Sequence, residues 1–217
     1  MTELYIIRHG DPDYATDSLT ELGRREAELL SLRMKSVSPD LIFTSPLGRA
    51  RETAAYTCRA LGIEPQVENW MAEDMRYMRR LSFVDARSSG TGYSFSAVKG
   101  IEEYCDFASG SEREDRAGFF DAMIRGSDRF IASLGFERQG GFYRVIRDDG
   151  IKAAAFCHGG FGAAWIAHLF MIPPQYGWRS LFLYTTSVSK FTFSDDGSGF
   201  AVPKCHFIGD LSHLSCI

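Results

Sequence analysis

The chain has 217 residues, 45% of them hydrophobic, 13% aromatic and 24% charged. At about 150 residues per domain this is one sizeable globular unit, able to bury roughly 70% of its unfolded surface without a disulfide or metal staple. Acids outnumber bases 28 to 24, for a formal charge of −4, and there is no long Lys/Arg run, so a nucleic-acid or acidic-membrane surface is not expected and a small-molecule partner is.

Leu4 to Ile7 is a continuous apolar, partly β-branched run ending at Arg8-His9-Gly10, as in a strand buried on both faces. Thr20 then caps a predicted helix with Ala27, Leu30 and Met34 on one face, and Pro39 to Thr44 supplies a second apolar strand, with its exit at Ser45-Pro46. Ala50, Ala54, Cys58 and Leu61 recur at helical spacing ahead of Gly62, which predicts a helix over 47–61 with a glycine cap. Strand, helix, strand, helix is the pattern of a parallel sheet. Residues 74 to about 140 break the rhythm and read as an insertion over the sheet. They hold Gly and Ser clusters, a mixed-charge run from Glu112 to Arg116, and one helix carrying Phe120, Met123, Ser127, Ile131 and Leu134.

Further on, Phe142 to Arg147 and Ile151 to Cys157 flank Asp148-Asp149-Gly150, which predicts a hairpin. A helix follows over about Phe161 to Phe170, stopped by Pro173-Pro174, and Ser187 to Ser194 with Phe200 to Phe207 read as a second hairpin around Asp195-Asp196-Gly197. Five cysteines, at 58, 105, 157, 205 and 216, form no C-x-x-C pair and leave an odd count, which argues against a disulfide framework or zinc knuckle and for a reducing compartment. The N-terminus has no basic leader, and no stretch approaches the ~18 apolar residues of a membrane span, so the expected location is cytoplasmic.

Two apolar strands thus end in His-Gly, at His9 and His158, and ligands of open α/β sheets bind beyond the strands' C-terminal ends. Arg8 precedes one histidine, and Arg49 lies in the first turn of the helix after Ser45-Pro46. Two guanidiniums and two imidazoles make an anion pocket. Guanidinium forks match phosphate oxygens, and free N–H groups at helix N-termini add to the field, so phosphate is the expected anion. Gly159-Gly160 allows close backbone approach at a helix start, without the Gly-Lys-Ser/Thr of a nucleotide loop. His168, among Ala, Leu and Phe on a helix, reads as structural, and Cys157 as an unlikely nucleophile inside an apolar strand.

Taken in order, Leu4 to Gly10, Leu19-Thr20-Glu21-Leu22-Gly23, Thr44 to Ala54 and His158-Gly159-Gly160 resemble the histidine phosphatase superfamily, also called phosphoglycerate mutase-like. The resemblance is close up to Gly62, looser over the C-terminal third, and weak in the insertion. It implies a three-layer α/β/α domain over 1–217 with a mostly parallel sheet and a cap inserted at about 74–140. It aligns His9 with the nucleophile that becomes phosphohistidine, and Arg8, Arg49 and His158 with the groups that hold the phosphoryl oxygens. Gly159 is counted with the substrate-binding residues. The family's general acid falls best on Glu73, with Asp74 the nearest rival. Where many members carry a small hydroxyl residue and then Asn after Arg-His-Gly, this chain has Asp11-Pro12-Asp13-Tyr14-Ala15, so a phosphate contact is missing and the rim is less positive.

The implied activity is a metal-independent phosphomonoesterase acting on a small phosphorylated metabolite, with no cofactor. A mutase is the runner-up; the basic and proline-bearing stretches associated with a mutase cap are not found in 74–140. A metal-dependent hydrolase using His9, Asp11, Asp13 and His158 is opposed by the two arginines, and a module that merely docks phosphate would need no nucleophile. Arg76, Arg79, Arg80 and Arg87 follow the acid and read either as a solvated cluster or as a grip on a second substrate anion.

Overall fold

The computed structural model describes residues 1–73 and 112–215. In chain order it places β1 (Thr2–Arg8), β2 (Pro12–Asp13), β3 (Ser18–Leu19), α1 (Glu21–Val37), β4 (Leu41–Thr44), α2 (Gly48–Leu61), β5 (Gln66–Val67) and a short 3₁₀ turn (Asn69–Met71). Then come α3 (Glu112–Ser133), β6 (Phe136–Gln139), β7 (Phe142–Val145), β8 (Lys152–Cys157), α4 (Gly159–Leu169), α5 (Pro174–Ser180), β9 (Val188–Phe193), β10 (Phe200–Ala201), β11 (Lys204–Asp210) and a closing 3₁₀ turn (Ser212–Leu214). Asp74, the four arginines at 76, 79, 80 and 87, Cys105 and Cys216 lie outside the described residues.

The main sheet has strand order β11-β9-β1-β8-β4-β5. β8 runs parallel to both β1 and β4, β4 runs parallel to β5, and β9 is antiparallel to β1. Alternate side chains of the central strands enter different cores, as the period of two requires. Tyr5, Ile7, Ala154 and Phe156 pack with Leu30 and Met34 of α1 and Ala54 and Cys58 of α2. Leu4, Ile6, Ala153, Ala155 and Cys157 join Met123, Phe130 and Ile131 of α3 and Phe161, Trp165 and Ile166 of α4. The result is the expected mostly parallel sheet with helices on both faces.

α1 begins as its sequence predicts, with the Thr20 hydroxyl accepting from Gly23 N–H at 3.1 Å, and α2 ends on Gly62 at φ 71°. α3 carries much of the core on its face of the sheet through Met123, Phe130 and Ile131, so this part of the 74–140 stretch is a packing layer.

Three local expectations need correcting. Phe142–Arg147 and Ile151–Cys157 do not form a hairpin: β7 pairs with β6 across Gly140-Gly141, while β8 sits between β1 and β4. The alternation of exposed Phe142, buried Tyr143 and exposed Arg144 suits an antiparallel sheet with one wet face, whereas the unbroken Ala153 to Cys157 run needs cover on both faces. The second hairpin is shifted. β9 pairs with β11, Lys204–Asp210, whereas Phe200–Ala201 pairs with β7, and Pro203, which has no N–H to give a ladder, separates the two. Finally, Pro173-Pro174 stops α4 but also starts α5, with Pro174 in the first turn where its missing N–H costs nothing.

Candidate active site

The register of β1 on β8 places Arg8 opposite Cys157, so the residues that follow, His9 and His158, leave the sheet side by side. Their ring centroids are 5.2 Å apart at 62°, and His9 N–H is tied to the Cys157 carbonyl at 2.9 Å. α2 starts just beyond the C-terminal end of β4 and brings Arg49 to the same place, and Glu73 arrives after the 3₁₀ turn that follows β5. His9, His158, Arg49 and Glu73 are all buried, and Arg8 is half-buried. Two motif glycines make the crossing possible: a Cβ on Gly10 would lie 2.6 Å from the Gly23 carbonyl oxygen, which lets the loop after β1 pass over the first turn of α1.

A hydrogen bond fixes the His9 tautomer. His9 Nδ1 lies 2.7 Å from the Gly10 carbonyl, which can only accept, so Nδ1 carries the proton and Nε2 keeps its lone pair. Arg49 Nε donates to that Nε2 at 3.3 Å. His158 Nε2 is 2.7 Å from Ser45 Oγ, which also accepts Leu47 N–H at 3.3 Å and has its own proton to give to the ring. When Nε2 accepts that proton, His158 Nδ1 is the protonated edge. Burial, with Arg8 and Arg49 adding to it against the opposing Gly10 bond and Asp17 charge, pulls the His9 pKa down to about 3. Burial, then the neighbouring His9, Arg49 and Arg8, drives His158 well below its ordinary value. Both imidazoles are neutral at pH 7.

Among the described residues, three buried nitrogens of this cluster have no hydrogen-bond partner: Arg8 Nε, Arg49 Nη2 and His158 Nδ1. Their other edges are occupied. Arg8 Nη1 donates to the Leu183 carbonyl, and the Arg8 guanidinium carbon lies 3.2 Å from where a Cβ on Gly159 would stand, so a side chain there would press on the guanidinium. Buried donors left unpaired in a folded protein cost about 1–3 kcal/mol each, and a cluster of them beside two guanidiniums suits an anion. Glu73 Oε1 accepts from Phe161 N–H at 3.1 Å, leaving Oε2 3.8 Å from Arg49 Nη2 and 4.0 Å from His158 Nδ1. Burial raises its pKa despite the opposing Phe161 bond and the two arginines, which favours the protonated acid.

Sequence reasoning missed two members of this cluster. Ser45, read only as a strand exit, meets His158 Nε2 at 2.7 Å. Asp17 places Oδ1 2.6 Å from Arg49 Nη1 and Oδ2 2.6 Å from Gly48 N–H, at the N-terminus of α2. It does so from the left-handed region, at φ 49°, and its carbonyl oxygen lies 2.1 Å from where a Cβ on Gly48 would sit. Nothing in the spacing announces this; the one legible cue is Gly48 directly before Arg49. The two carboxylates suspected of making the rim less positive are loop organisers: Asp11 accepts the Thr20 hydroxyl at 2.6 Å, and Asp13 accepts Ala15 N–H and Thr16 Oγ1 at 2.9 and 2.8 Å. Among the described residues no three His, Cys, Asp or Glu side chains are grouped to hold a metal ion. His168 pairs with Asp128 at 2.9 Å, and burial pushes the Cys157 thiol far up, so neither joins the site.

The structure is thus an α/β protein with a helix-flanked, mostly parallel sheet whose C-terminal edge carries paired histidines and two arginines. Residues 4–91 match the family model of the histidine phosphatase superfamily (branch 1). Probable phosphoglycerate mutase GpmB of Photorhabdus laumondii is 37% identical over 82 residues, which cover 34% of this chain and 38% of that relative's length. Its namesake from Salmonella choleraesuis is 24% identical over 99% of this chain and 95% of its own. The fold is shared with a mycobacterial glucosyl-3-phosphoglycerate phosphatase (19% identity, TM-score 0.62, 96% of this chain and 99% of that one). It is also shared with phosphoserine phosphatase of Entamoeba histolytica (19% identity, TM-score 0.64, 99% and 100%). Among the described residues no helix is long and apolar enough to cross a membrane.

Proposed function

We propose that the protein is a phosphomonoesterase that works through a phosphohistidine on His9 and needs no metal. The observation that carries this is the convergence of a lone pair on His9 Nε2 with three unpartnered buried donors, Arg8 Nε, Arg49 Nη2 and His158 Nδ1. Phosphoryl transfer demands positioning and charge stabilisation on three equatorial oxygens, and the donors match that need. His9 Nε2 attacks phosphorus, the ester P–O bond breaks, and the departing oxygen takes the proton of the Glu73 carboxyl. Water then attacks the phosphohistidine, Glu73 takes back a proton, and inorganic phosphate leaves. His9 starts neutral because its pKa is depressed, and burial raises the Glu73 pKa, which favours the protonated carboxyl that the departing oxygen needs.

Names of the relatives support both phosphatase and mutase chemistry, and one assay separates them. With EDTA present, the purified protein should release inorganic phosphate from simple phosphomonoesters and should not interconvert phosphoglycerates. Loss of turnover in EDTA that returns with a divalent metal would overturn the metal-independent mechanism, and phosphoglycerate interconversion without net phosphate release would assign it to the mutases.

A further inference from the structure

The segment between α5 and β9, Leu181 to Ser187, is pinned to the reacting end of β1 at three points. The Leu183 carbonyl accepts Arg8 Nη1, Thr186 N–H donates to the His9 carbonyl at 3.1 Å, and Arg8 N–H donates to the Ser187 carbonyl at 3.1 Å. The Leu183 side chain is buried, and it fills the space beside Gly162 of α4. A segment so tightly held nevertheless turns its two rings outward: Phe182 is 72% exposed and Tyr184 59%. They pack edge to face at 4.8 Å, and the Arg8 guanidinium lies 5.9 Å from the centre of the Phe182 ring. Arg8 therefore offers its free Nε to the anion site while an exposed ring stands beside the same guanidinium. Arg49 is arranged alike, with Tyr14, 53% exposed, 5.4 Å from its guanidinium carbon.

Isolated exposed apolar residues need no explanation, but two paired rings on a rigid backbone at the edge of a phosphate site do. The segment has the sequence Leu-Phe-Leu-Tyr-Thr-Thr-Ser and carries no charge, so it offers planar apolar surface and hydroxyls and no second cation. We infer that Phe182 and Tyr184 form an aromatic shelf for the leaving group, and that the preferred substrates are phosphomonoesters whose ester oxygen carries an aromatic or flat apolar group. This rests on the phosphomonoesterase reading above and names the substrate class for that same site. Aromatic surfaces favour ring partners in edge or offset contact, and the shelf is already ordered before the substrate arrives, so little ordering entropy opposes binding.

The test compares 2-phenylethyl phosphate with ethyl phosphate, which release the same kind of primary alkoxide and differ in the ring. Wild type should favour the phenylethyl ester by about tenfold or more in kcat/KM, and Phe182→Ala/Tyr184→Ala should cut that preference to about threefold or less. A second measurement needs no variant: 2-phenylethylphosphonate should inhibit p-nitrophenyl phosphate hydrolysis at about tenfold lower concentration than ethylphosphonate. Equal turnover of the two esters by wild type, equal inhibition by the two phosphonates, or a ratio unchanged in the double variant would overturn the shelf and leave the phosphatase reading standing. Hydrolysis of neither ester would overturn both.

Discussion

Asp17 is the residue whose replacement tests the architecture of the site most stringently, because it touches no reacting atom. Its carboxylate bridges Gly48 N–H and Arg49 Nη1, while the Nε of the same guanidinium donates to His9 Nε2. Asp17→Asn is the clean perturbation: Asn tolerates the φ of 49° that Asp17 adopts, so the change removes charge without adding backbone strain. A hydrogen bond between charged groups is worth about 1.5–3 kcal/mol, and since the Asp17 side chain is 43% exposed the lower end applies. Arg49 would lose its anchor and its register, and an error of about 1 Å in a positioning group costs up to about 100-fold in rate. The expected fall in kcat/KM for p-nitrophenyl phosphate is therefore about 10- to 100-fold, equivalent to about 1.4–2.7 kcal/mol. Tm should drop by only a few degrees. Burial works against the Asp17 charge, but the Gly48 and Arg49 bonds outweigh it and hold the carboxyl below its usual range. Its contribution to stability is thus full above the unfolded pKa of about 3.9 and is lost as pH falls through the lower folded value. The decisive arm is the cycle with Arg49→Ala, in which Asp17→Asn should cost almost nothing further. An increase in kcat/KM in the single variant, or an undiminished loss in the Arg49→Ala background, would refute the positioning role.

Glu73→Gln should slow alkyl phosphates by about 100-fold or more while sparing p-nitrophenyl phosphate, whose phenolate leaves unaided; equal losses on both would give the residue another role. In wild type, kcat/KM for alkyl phosphates should fall as pH rises through the elevated Glu73 pKa, and the acid limb should lie near the His9 value of about 3 rather than near 6.5. Gly48→Ala, whose Cβ would sit 2.1 Å from the Asp17 carbonyl oxygen, should destabilise the protein by about 1–3 kcal/mol and reproduce the kinetic defect of Asp17→Asn. A stable, fully active Gly48→Ala protein would contradict the packing described here. Ser45→Ala removes the hydroxyl that meets His158 Nε2 and should lower kcat/KM about tenfold, with little change in Tm; unchanged kinetics would show that His158 needs no such support.

Most of the site was legible because it sits at strand ends. Arg8, His9 and His158 follow apolar runs, and a parallel sheet must bring such termini to one edge. Arg49 was legible from its place in the first turn after a strand. Asp17 was not, because its role depends on a left-handed backbone turn and a contact 32 residues away in sequence, neither of which has a local signature. The fold class followed from the strand and helix rhythm, whereas the partners of β7, β9 and β10 did not. Asp-Asp-Gly and Asp-Asp-Gly-Ser mark turns, but a turn reports only that the chain reverses, and the strands on either side can belong to different sheets. The better cue lay in burial pattern, since a continuous run such as Ala153 to Cys157 requires two neighbours and two covered faces.

Trapping the covalent intermediate tests the central claim most directly. Wild type mixed with ³²P-labelled substrate and quenched in alkali, where phosphohistidine survives, should carry label on His9 alone. His9→Ala should carry none and should not turn over, yet still bind inorganic phosphate, because Arg8, Arg49 and His158 remain. Label on another residue, no labelled histidine under alkaline work-up, or substantial turnover by His9→Ala would contradict the account.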